Sequence, residues 1–263
     1  MTTSGGPGEF GVVIPARFAS TRLPGKPLID LGGKPMVVRV MELAARAGAV
    51  FAVVATDDER VVEAVTAAGG EAMLTSDEHE TGTDRLAEVA RRLRLEPDSV
   101  VVNLQGDEPT LPPELVARVA HTLMHDPEAS LSTLATPLRE RLELFDSNVV
   151  KVVLDQAGRA LYFSRAPIPW LRGEFAIDAA RDSRGPLQED LFLRHVGLYA
   201  YRVSTLLTLA QTRPTRLEQA ERLEQLRALW LGMKIQVAVV PDLPGPGVDT
   251  AEDAARVQKL FAT

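Results

Sequence analysis

The sequence predicts an α/β protein of three layers, in which helices cover a mostly parallel, twisted sheet that also has a small antiparallel hairpin or arm. Short apolar runs alternate with segments of helical periodicity, an order typical of βα units. The composition is that of an ordinary globular protein, with 45% hydrophobic and 25% charged residues. The 263 residues suffice for one large domain or two small ones. We expect a disordered lead over residues 1–9 and a single domain over residues 10–263.

The first half of the chain predicts a series of strand and helix pairs. The first strand ends near Ile14, and Pro35 suits the first position of a helix that Gly48 ends. Thr81 and Asp84 have the spacing of a capping box. The further expected elements are a strand at 50–55, a helix to about 68, a helix from the capping box to about 93, a strand at 99–104 and a helix at 113–124.

The second half predicts further strands and one hairpin. Ala157 and Gly158 are typical of a turn, and we expect an antiparallel hairpin around them, outside the parallel core. Residues 171–192 are charged and lack a clear period, which favours a mobile loop. The expected strands lie at 131–136, 149–154, 160–164, 196–201 and 235–240, and the expected helices lie at 217–231 and from 250 to the end.

Charge and composition exclude several classes of protein. The net charge of −7 argues against a broad nucleic-acid surface, which would need an excess of basic residues. The absence of cysteine excludes a disulfide framework and a thiolate site. No apolar run approaches the roughly 18 residues of a membrane span, and the polar N-terminus lacks the features of a secretory signal. We therefore expect a cytoplasmic protein with neither a nucleic-acid nor a membrane partner.

The loop after the first strand concentrates cations and hydroxyl groups. Arg17, Arg22 and Lys26 are its cations, and Ser20 and Thr21 add hydroxyls. Arginine offers a fork of donors to phosphate oxygens, lysine a compact charge, and loop N–H groups an anion-binding concavity. The loop matches neither the dinucleotide fingerprint nor a Walker motif. The pattern favours a phosphate-binding loop, and the alternative is a solvated basic loop between a strand and a helix.

Two acidic positions are candidates for metal binding. Asp107 comes just past a central strand, where open α/β sheets bind their ligands. Asp249 directly precedes a capping-box pattern. From the residues alone, Asp107 is either a ligand or a turn residue, and Asp249 either a ligand or a residue that leads into a helix. His121 and His125 have a spacing that can bind zinc, but no glutamate follows His121 as in H-E-x-x-H, which disfavours a zinc site.

A set of motifs follows in one order along most of the chain. It comprises PARFASTRLPGKPL in the first loop, VATD at 54–57, GTDRLAE at 82–88, NLQGDEP at 103–109, KVVLD at 151–155, LYFSR at 161–165, IPW at 168–170, RHVGLY at 194–199, LEQLR at 223–227 and GVDT at 247–250. Together these motifs resemble the nucleotidyltransferases that activate sugars, and within them the 3-deoxy-D-manno-octulosonate (Kdo) cytidylyltransferases. The resemblance spans residues 11 to about 258. The chain differs from the family in two places. Residues 1–9 are an extra lead, and the stretch around 172–190 is longer than expected and has no motif.

The resemblance implies transfer of the cytidylyl group of CTP to the anomeric hydroxyl of Kdo, with release of pyrophosphate, for lipopolysaccharide biosynthesis. It implies a Rossmann-like fold of the nucleotide-diphospho-sugar transferase type. The nucleotide-binding half would lie at about 10–135, and the sugar-binding and dimerisation half at about 136–263. The implied cofactor is Mg²⁺, and the implied partners are CTP, a 2-keto-3-deoxy sugar acid and a second copy of the chain in a homodimer.

The same resemblance implies roles for individual residues. The implied catalytic residues are Arg17, Arg22, Lys26 and Asp107, and the implied metal ligands are Asp107 and Asp249. The implied nucleotide-binding residues are Pro15, Ala16, Arg17, Ser20, Thr21, Arg22, Lys26, Gly82 and Arg85. The implied sugar-binding residues are Gln105, Arg165, His195, Tyr199, Glu224 and Gln225.

Several alternatives stay open at this point. Arg85 is expected to bind a phosphate, the sugar carboxylate or only Glu88 on its own helix, and Tyr199 either binds the sugar or packs in the core. The acceptor is either Kdo or another sugar acid, such as amino-Kdo or a sialic acid. A non-catalytic nucleotide-binding regulator is the alternative of a different class, and it would be expected to have lost a loop cation or a metal carboxylate.

Overall fold

The computed structural model describes residues 8–19, 23–79, 81–175, 187–188, 191–242 and 244–261. The chain divides into two compact units. The first unit comprises Met1–Met124, Leu198–Gln211 and Pro244–Thr263, and the second comprises His125–Gly197 and Thr212–Leu243. Each unit is therefore built from segments that are far apart in the sequence. Within the described ranges, no helix is long and apolar enough to cross a membrane.

The described residues form nine strands and nine α-helices. The strands are β1 (Phe10–Ala16), β2 (Phe51–Thr56), β3 (Glu71–Leu74), β4 (Val100–Asn103), β5 (Leu131–Pro137), β6 (Lys151–Leu154), β7 (Ala160–Ser164), β8 (Leu193–Arg202) and β9 (Ile235–Val239). The helices are α1 (Met36–Arg46), α2 (Glu59–Ala67), α3 (Gly82–Arg92), α4 (Pro113–His125), α5 (Arg141–Phe145), α6 (Val203–Gln211), α7 (Arg216–Glu221), α8 (Gln225–Trp230) and α9 (Ala251–Phe261). A short 3-10 turn occupies Lys26–Leu28.

The sheet of the first unit is mostly parallel, as the sequence predicts. Its strand order is β3-β2-β1-β4, followed by the last part of β8. Three pairings are parallel, and the pairing of β4 with β8 is antiparallel. Apolar residues fill this sheet because both of its faces are covered, and Val12, Val13 and Ile14 of β1 are fully buried. The arrangement puts the carboxyl ends of β1 and β4 side by side.

Local signals explain where several helices begin. The Thr81 hydroxyl accepts a bond from the backbone N–H of Asp84, and the Asp84 carboxylate accepts one in return from the N–H of Thr81. Thr250 and Asp253 make the same reciprocal pair ahead of α9. The two capping boxes expected from the sequence are therefore confirmed. They satisfy N–H groups that the first helical turn leaves without partners.

The second unit contains the hairpin expected at Gly158. Strands β6 and β7 pair antiparallel, and β6 also pairs with the first part of β8. Gly158 adopts φ 76°, a left-handed conformation that glycine accepts without steric cost. Strands β5 and β9 pair in parallel beside them. The hairpin is thus an antiparallel addition to an otherwise α/β fold.

The prediction of one continuous helix at 217–231 is wrong. The structure divides it into α7 and α8, because Arg222 takes a left-handed conformation (φ 53°) and ends α7. The chain then turns, so that Leu223 is buried and its N–H bonds to the carbonyl of Glu218. The helical periodicity continues across this break and so gave no sign of it. The elements that sequence reasoning did not find are β3, α5 and α6.

Three further expectations fall wholly or partly outside the described residues. These are most of the expected lead (1–7), the hydroxyl-bearing part of the first loop (20–22) and most of the expected mobile loop (176–186 and 189–190). The described end of that loop is a packed turn. Phe175 is buried there, stacked on Phe192 and edge-on to Phe145 and Trp170. Residues 171–175 are thus a loop, as expected, and the mobility of the loop stays a prediction.

Candidate functional site

A cavity of about 370 Å³ opens in the first unit at the carboxyl ends of β1 and β4. This edge of the sheet is where open α/β folds bind their ligands. The first loop, the start of α3 and the turn after β4 form its walls. Its lining residues are Pro15, Ala16, Arg17, Ala19, Lys26, Pro27, Met36, Thr81, Gly82, Arg85, Gln105, Gly106 and Asp107.

Lys26 lies between the two carboxylates that the resemblance assigns to a metal. Its Nζ donates to Oδ2 of Asp107 at 2.6 Å and to Oδ1 of Asp249 at 2.9 Å. Burial alone would lower the pKa of Lys26, but the hydrogen bonds and charges of the two carboxylates outweigh it and raise that pKa. The lysine therefore stays charged.

The segment before α9 brings Asp249 to this site. The N–H of Val248 donates to the carbonyl of Asp107 at 2.8 Å, and the Thr110 hydroxyl donates to the carbonyl of Pro246 at 2.9 Å. Val248 is fully buried, which holds the segment in place. Thr250 is the residue that caps α9. The Asp249 carboxylate therefore points to Lys26 instead of serving as a helix cap.

The donor set around Lys26 fits Mg²⁺. Two carboxylate oxygens already reach one cationic nitrogen, so both can reach a common cation. Magnesium is usually held by one or two carboxylates, with substrate phosphates and water completing the shell. Among the residues that the structure describes, no group of three or more His, Cys, Asp or Glu side chains could hold a metal ion. The pair fits a metal that arrives with a phosphate ligand.

A third carboxylate stands beside the pair. Burial, and then the negative charges of Asp107 and Asp249, raise the pKa of Glu108 to about 7. A Cβ added at Gly247 would lie 3.0 Å from Oε1 of Glu108. A larger residue at position 247 would therefore crowd this carboxylate. Glu108 therefore adds negative charge to the site when it ionises, and it gains from a cation nearby.

Arg85 does not pair with Glu88, which was one of the expectations from sequence. Its side chain is 1% exposed and donates to Oδ2 of Asp57 at 3.1 Å and to the hydroxyl of Thr75. Oδ1 of Asp57 accepts a bond from the N–H of Phe18 in the first loop at 3.1 Å. Burial lowers the pKa of Arg85, an effect that Asp57 opposes. Asp57, which sequence reasoning did not select, thus links the loop to the arginine.

Glycine is required where the turn after β4 meets β1. A Cβ added at Gly106 would lie 2.8 Å from the carbonyl oxygen of Pro15, closer than real Cβ contacts. Nearby, Asn103 ends β4 with a side chain that is 4% exposed, and its Oδ1 has no hydrogen-bond partner among the described atoms. A buried amide oxygen without a partner is unusual and marks a place for a donor. The NLQGDEP motif contains Asn103, but the missing partner of its Oδ1 could not be known from sequence.

The sugar-site candidates of the second unit begin with His195 on β8. Its Nε2 lies 3.0 Å from the hydroxyl of Thr133, and the edge of Phe163 packs on its ring. Burial lowers the pKa of His195 to about 3. The imidazole is therefore neutral at physiological pH.

Arg165 is held by the backbone of its own unit. Its Nε donates to the carbonyl of Glu221 at 2.7 Å, and its Nη1 to the carbonyl of Ser147 at 2.9 Å. The carboxylate of Glu221 accepts from the N–H of Arg165 and from the hydroxyl of Ser164. These contacts fix the direction of the guanidinium group. An oriented guanidinium is suited to carboxylate recognition.

A buried lysine supports the same arginine. Lys151 is fully buried, and its Nζ donates to the carbonyls of Asp146, Val149 and Arg165 at 2.9, 2.6 and 2.6 Å. Burial lowers the pKa of Lys151 to about 8. Three carbonyls nevertheless satisfy all three donors of the ammonium group. The lysine therefore ties the segment before β6 to the end of β7.

Glu224 and Gln225 lie at the start of α8. Arg227 anchors this helix, because its Nε donates to Oε2 of Glu218 at 2.9 Å and its Nη1 to the carbonyl of Thr212 at 3.1 Å. Gln225 is 8% exposed, and its Nε2 lacks a hydrogen-bond partner within the described part of the chain. Gln225 is therefore the buried member of the adjacent pair.

The remaining predicted residues are distributed as follows. Arg17 is exposed on the first loop, and Gln105 lines the cavity of the first unit. Tyr199 stacks on Tyr201 with ring centroids 5.8 Å apart, so the two share a face of β8 as expected. The first unit thus holds Gln105 and Tyr199, and the second holds Arg165, His195, Glu224 and Gln225.

Comparisons with known proteins agree with this geometry. The cytidylyltransferase family profile matches residues 12–235. A 3-deoxy-manno-octulosonate cytidylyltransferase of Photorhabdus laumondii is 53% identical over 96% of this chain and 98% of the relative. The enzyme of the same name from Yersinia enterocolitica is 52% identical over 96% and 98%.

Two solved structures are also similar. A CMP:2-keto-3-deoxy-manno-octonic acid synthetase complexed with CTP superposes with a TM-score of 0.84, at 43% identity over 97% of this chain and 98% of that one. A cytidylyltransferase from Leptospira borgpetersenii superposes with a TM-score of 0.56, at 14% identity over 95% and 85%. The second supports the fold alone.

Proposed function

We propose that this chain, which belongs to the 3-deoxy-manno-octulosonate cytidylyltransferase family, transfers the cytidylyl group of CTP to the anomeric hydroxyl of Kdo. The bond from the hydroxyl oxygen to the α-phosphorus forms, and the bond from that phosphorus to pyrophosphate breaks. The reaction needs an in-line arrangement and neutralisation of the triphosphate charge. The single observation that supports the proposal most is the contact of Lys26, which lines the cavity, with both Asp107 and Asp249.

The first unit supplies the CTP site in this proposal. Lys26 and Arg17 neutralise the triphosphate, and the expected roles of Ser20, Thr21 and Arg22 remain predictions from the sequence. Gly106 allows the turn after β4 to approach β1 closely, and Gly82 lines the cavity at the start of α3. Arg85 is enclosed and tied to Asp57, so its role is to shape the wall of the cavity and to hold the loop in place.

Mg²⁺ is the proposed cofactor, and Asp107 and Asp249 are its proposed protein ligands. When bound, the metal would neutralise phosphate charge and lower the pKa of the attacking hydroxyl. Glu108 reinforces the negative potential of the pair when it ionises. When the metal binds, Lys26 has to give up these two carboxylates, because they cannot be metal ligands and keep both of their hydrogen bonds to the ammonium group. Lys26 would then bind the triphosphate.

The second unit supplies most of the acceptor site in this proposal. Arg165 offers an oriented guanidinium to the sugar carboxylate. Gln225 offers a buried amide nitrogen to a hydroxyl oxygen, with Glu224 beside it. Gln105 and Tyr199, which lie in the first unit, stay sugar-binding predictions from the sequence. Homodimer formation, a cytoplasmic location and a role in lipopolysaccharide biosynthesis belong to the same proposal, which the family resemblance supports.

Pyrophosphate release tests the proposed reaction. The full-length protein is incubated with CTP and Mg²⁺, with and without Kdo, and UTP replaces CTP as the control. We expect release only when CTP, Mg²⁺ and Kdo are all present. Release with a different sugar acid but not with Kdo would overturn the acceptor. Tight binding of CTP with no release for any sugar acid would favour the regulator.

A further inference from the structure

The KVVLD motif at 151–155 has no part in the proposed site, yet its first residue carries a buried charge. The side chain of Lys151 is fully buried. A buried ammonium group is costly unless hydrogen bonds replace those it made to water. Its Nζ donates to the carbonyls of Asp146, Val149 and Arg165 at 2.9, 2.6 and 2.6 Å, so each of its three protons has an acceptor. The charge therefore joins two separate parts of the chain, the segment at 146–149 and the residue that follows β7.

Arg165 is bound to the same segment as Lys151. Its Nη1 donates to the carbonyl of Ser147 at 2.9 Å. Lys151 binds carbonyls before and after that one, those of Asp146 and Val149. The lysine thus fixes the arginine twice, once at its own carbonyl and once through the segment that accepts from its guanidinium group. Loss of the ammonium group would loosen both contacts.

We propose that Lys151 is a positioning residue for the sugar acid: its ammonium group fixes the segment at 146–149 and Arg165, and so sets the direction of the guanidinium group that receives the sugar carboxylate. This inference rests on the proposed function, which assigns that carboxylate to Arg165. Because Lys151 is fully buried, it does not touch the sugar and acts only through the arginine.

A second anchor of Arg165 does not depend on the lysine. The carbonyl of Glu221 accepts from Nε of Arg165 at 2.7 Å, and the Glu221 carboxylate accepts from the N–H of Arg165 at 2.9 Å. Removing the ammonium group should therefore misdirect the guanidinium group without detaching it. The expected result is weaker binding of the sugar acid and not a complete loss.

The bonds of Lys151 need its third proton. A neutral amine has two protons and a lone pair, and that lone pair would face a carbonyl oxygen, which can only accept. Burial lowers the pKa of Lys151 to about 8, and the charge of Arg165 acts in the same direction. The carboxylates of Asp146 and Glu221 oppose this shift of the pKa. The lysine is therefore mostly charged at pH 7 and mostly neutral at pH 9, and the affinity for the sugar acid should fall over this interval.

Steady-state kinetics test the positioning role. Lys151→Met keeps the length of the side chain and removes its charge, and we expect KM for Kdo to rise about tenfold while KM for CTP stays unchanged. Lys234→Met is the control in the same unit, because Lys234 is 45% exposed and pairs with Glu128 at the surface. This control should behave as the wild type does. An unchanged KM for Kdo in Lys151→Met, or equal increases in both of its KM values, would overturn the inference.

The wild-type protein supplies a second test, which holds even if Lys151→Met fails to fold. We expect its KM for Kdo to rise several-fold between pH 7 and pH 9, because the ammonium group loses its proton there. KM for CTP should not follow. A flat KM for Kdo over this interval would overturn the inference.

Nitrogen-15 NMR of the arginine side chains separates this inference from the proposed function. The bond from Nη1 of Arg165 to the carbonyl of Ser147 should slow the rotation of the guanidinium group and give resolved signals, which the Arg165→Lys variant assigns. In Lys151→Met we expect these signals to average, and in Lys234→Met to stay resolved. Unchanged signals in Lys151→Met would overturn the positioning role. If the wild type releases no pyrophosphate with Kdo but the signals change as expected, the proposed function fails and the positioning of Arg165 is supported.

Discussion

Lys26 and Asp249 are 223 positions apart in the sequence, yet the lysine Nζ donates to the aspartate Oδ1 at 2.9 Å. The contact depends on the bond from Val248 to the carbonyl of Asp107, which sets the segment before α9 against the turn after β4. One ammonium group therefore joins the first loop, the central strand and the C-terminal region. The predictions that follow begin from this triad.

Removing the charge of either carboxylate should abolish turnover. Asp107→Asn and Asp249→Asn keep the side-chain volume but lose the charge that a metal needs, so we expect kcat to fall on the order of 100-fold or more. Circular dichroism and thermal melting should show a folded protein. Asp98→Asn, at an exposed position, is the matched control. Near wild-type activity at low Mg²⁺ would refute the assignment of that carboxylate.

Lys26→Ala should cost far more activity than Lys34→Ala. Lys26 is 13% exposed and bonds both site carboxylates, whereas Lys34 is 46% exposed and pairs only with Glu42. Because the alanine removes the ammonium group that we propose for the triphosphate, KM for CTP should rise and kcat should fall together. The same pyrophosphate assay measures both. Equal losses in the two variants would show that a general loss of positive charge is responsible.

Gly106→Ala should damage CTP binding through the backbone. The new Cβ would meet the carbonyl oxygen of Pro15 at 2.8 Å and force the turn away from β1. We expect a higher KM for CTP and a lower melting temperature. Gly197→Ala is the control, because no atom lies within 4 Å of its added Cβ and its φ is not left-handed. A Gly106→Ala variant with wild-type KM would mean that the turn yields without cost.

Asp57→Asn should weaken CTP binding although Asp57 does not line the cavity. The asparagine keeps one acceptor but loses the charge that compensates buried Arg85, and it loosens the link to Phe18. We expect a rise of roughly tenfold in the Kd for CTP, measured by calorimetry. Asp77→Asn, at an exposed position, should bind as wild type does. An unchanged Kd in Asp57→Asn would remove the proposed link between the loop and the arginine.

His195 should make the protein less stable as the pH falls. Its pKa is about 3 in the folded protein and about 6.5 when unfolded, so between these values only the unfolded chain takes up the proton. The free energy of unfolding should then drop by up to about 1.4 kcal/mol per pH unit from this residue. Above pH 7 it contributes no pH dependence. Urea unfolding of wild type and His195→Gln at pH 7 and pH 5 measures the difference, and parallel behaviour would contradict the low pKa.

Local patterns predicted much of the fold. The capping boxes at Thr81 and Thr250 and the turn at Gly158 depend on neighbouring residues, so a single sequence displays them. The break at Arg222 was missed, because a non-glycine residue in a left-handed conformation leaves no mark in the hydrophobic period. Its cause is tertiary: the buried ion pair of Arg227 and Glu218 stabilises the turn.

In the candidate site too, the sequence predicted some of the functional residues and missed others. The loop cations and Asp107 stand out in the sequence because their types and positions suit phosphate and metal chemistry. Asp57 does not, since it acts through Arg85 and the first loop, which only folding brings near it. The charge state of His195 was also beyond the sequence, because burial sets it. The residue type predicts which chemistry a side chain is capable of. Its burial and its partners in the fold then determine its charge state and its contacts.

The link between Asp107 and the segment before α9 has a consequence for the order in which the chain is made. A ribosome has to add 223 positions after Lys26 before Asp249 exists, although Asp107 emerges much earlier. A chain that ends short of Asp249, through a premature stop or trimming by a protease, would lose this carboxylate together with α9, whose Ala254 and Val257 are buried in one cluster with Met36 of the cavity wall. The second carboxylate of the site and part of the core behind the cavity are therefore the last parts of this unit to be made.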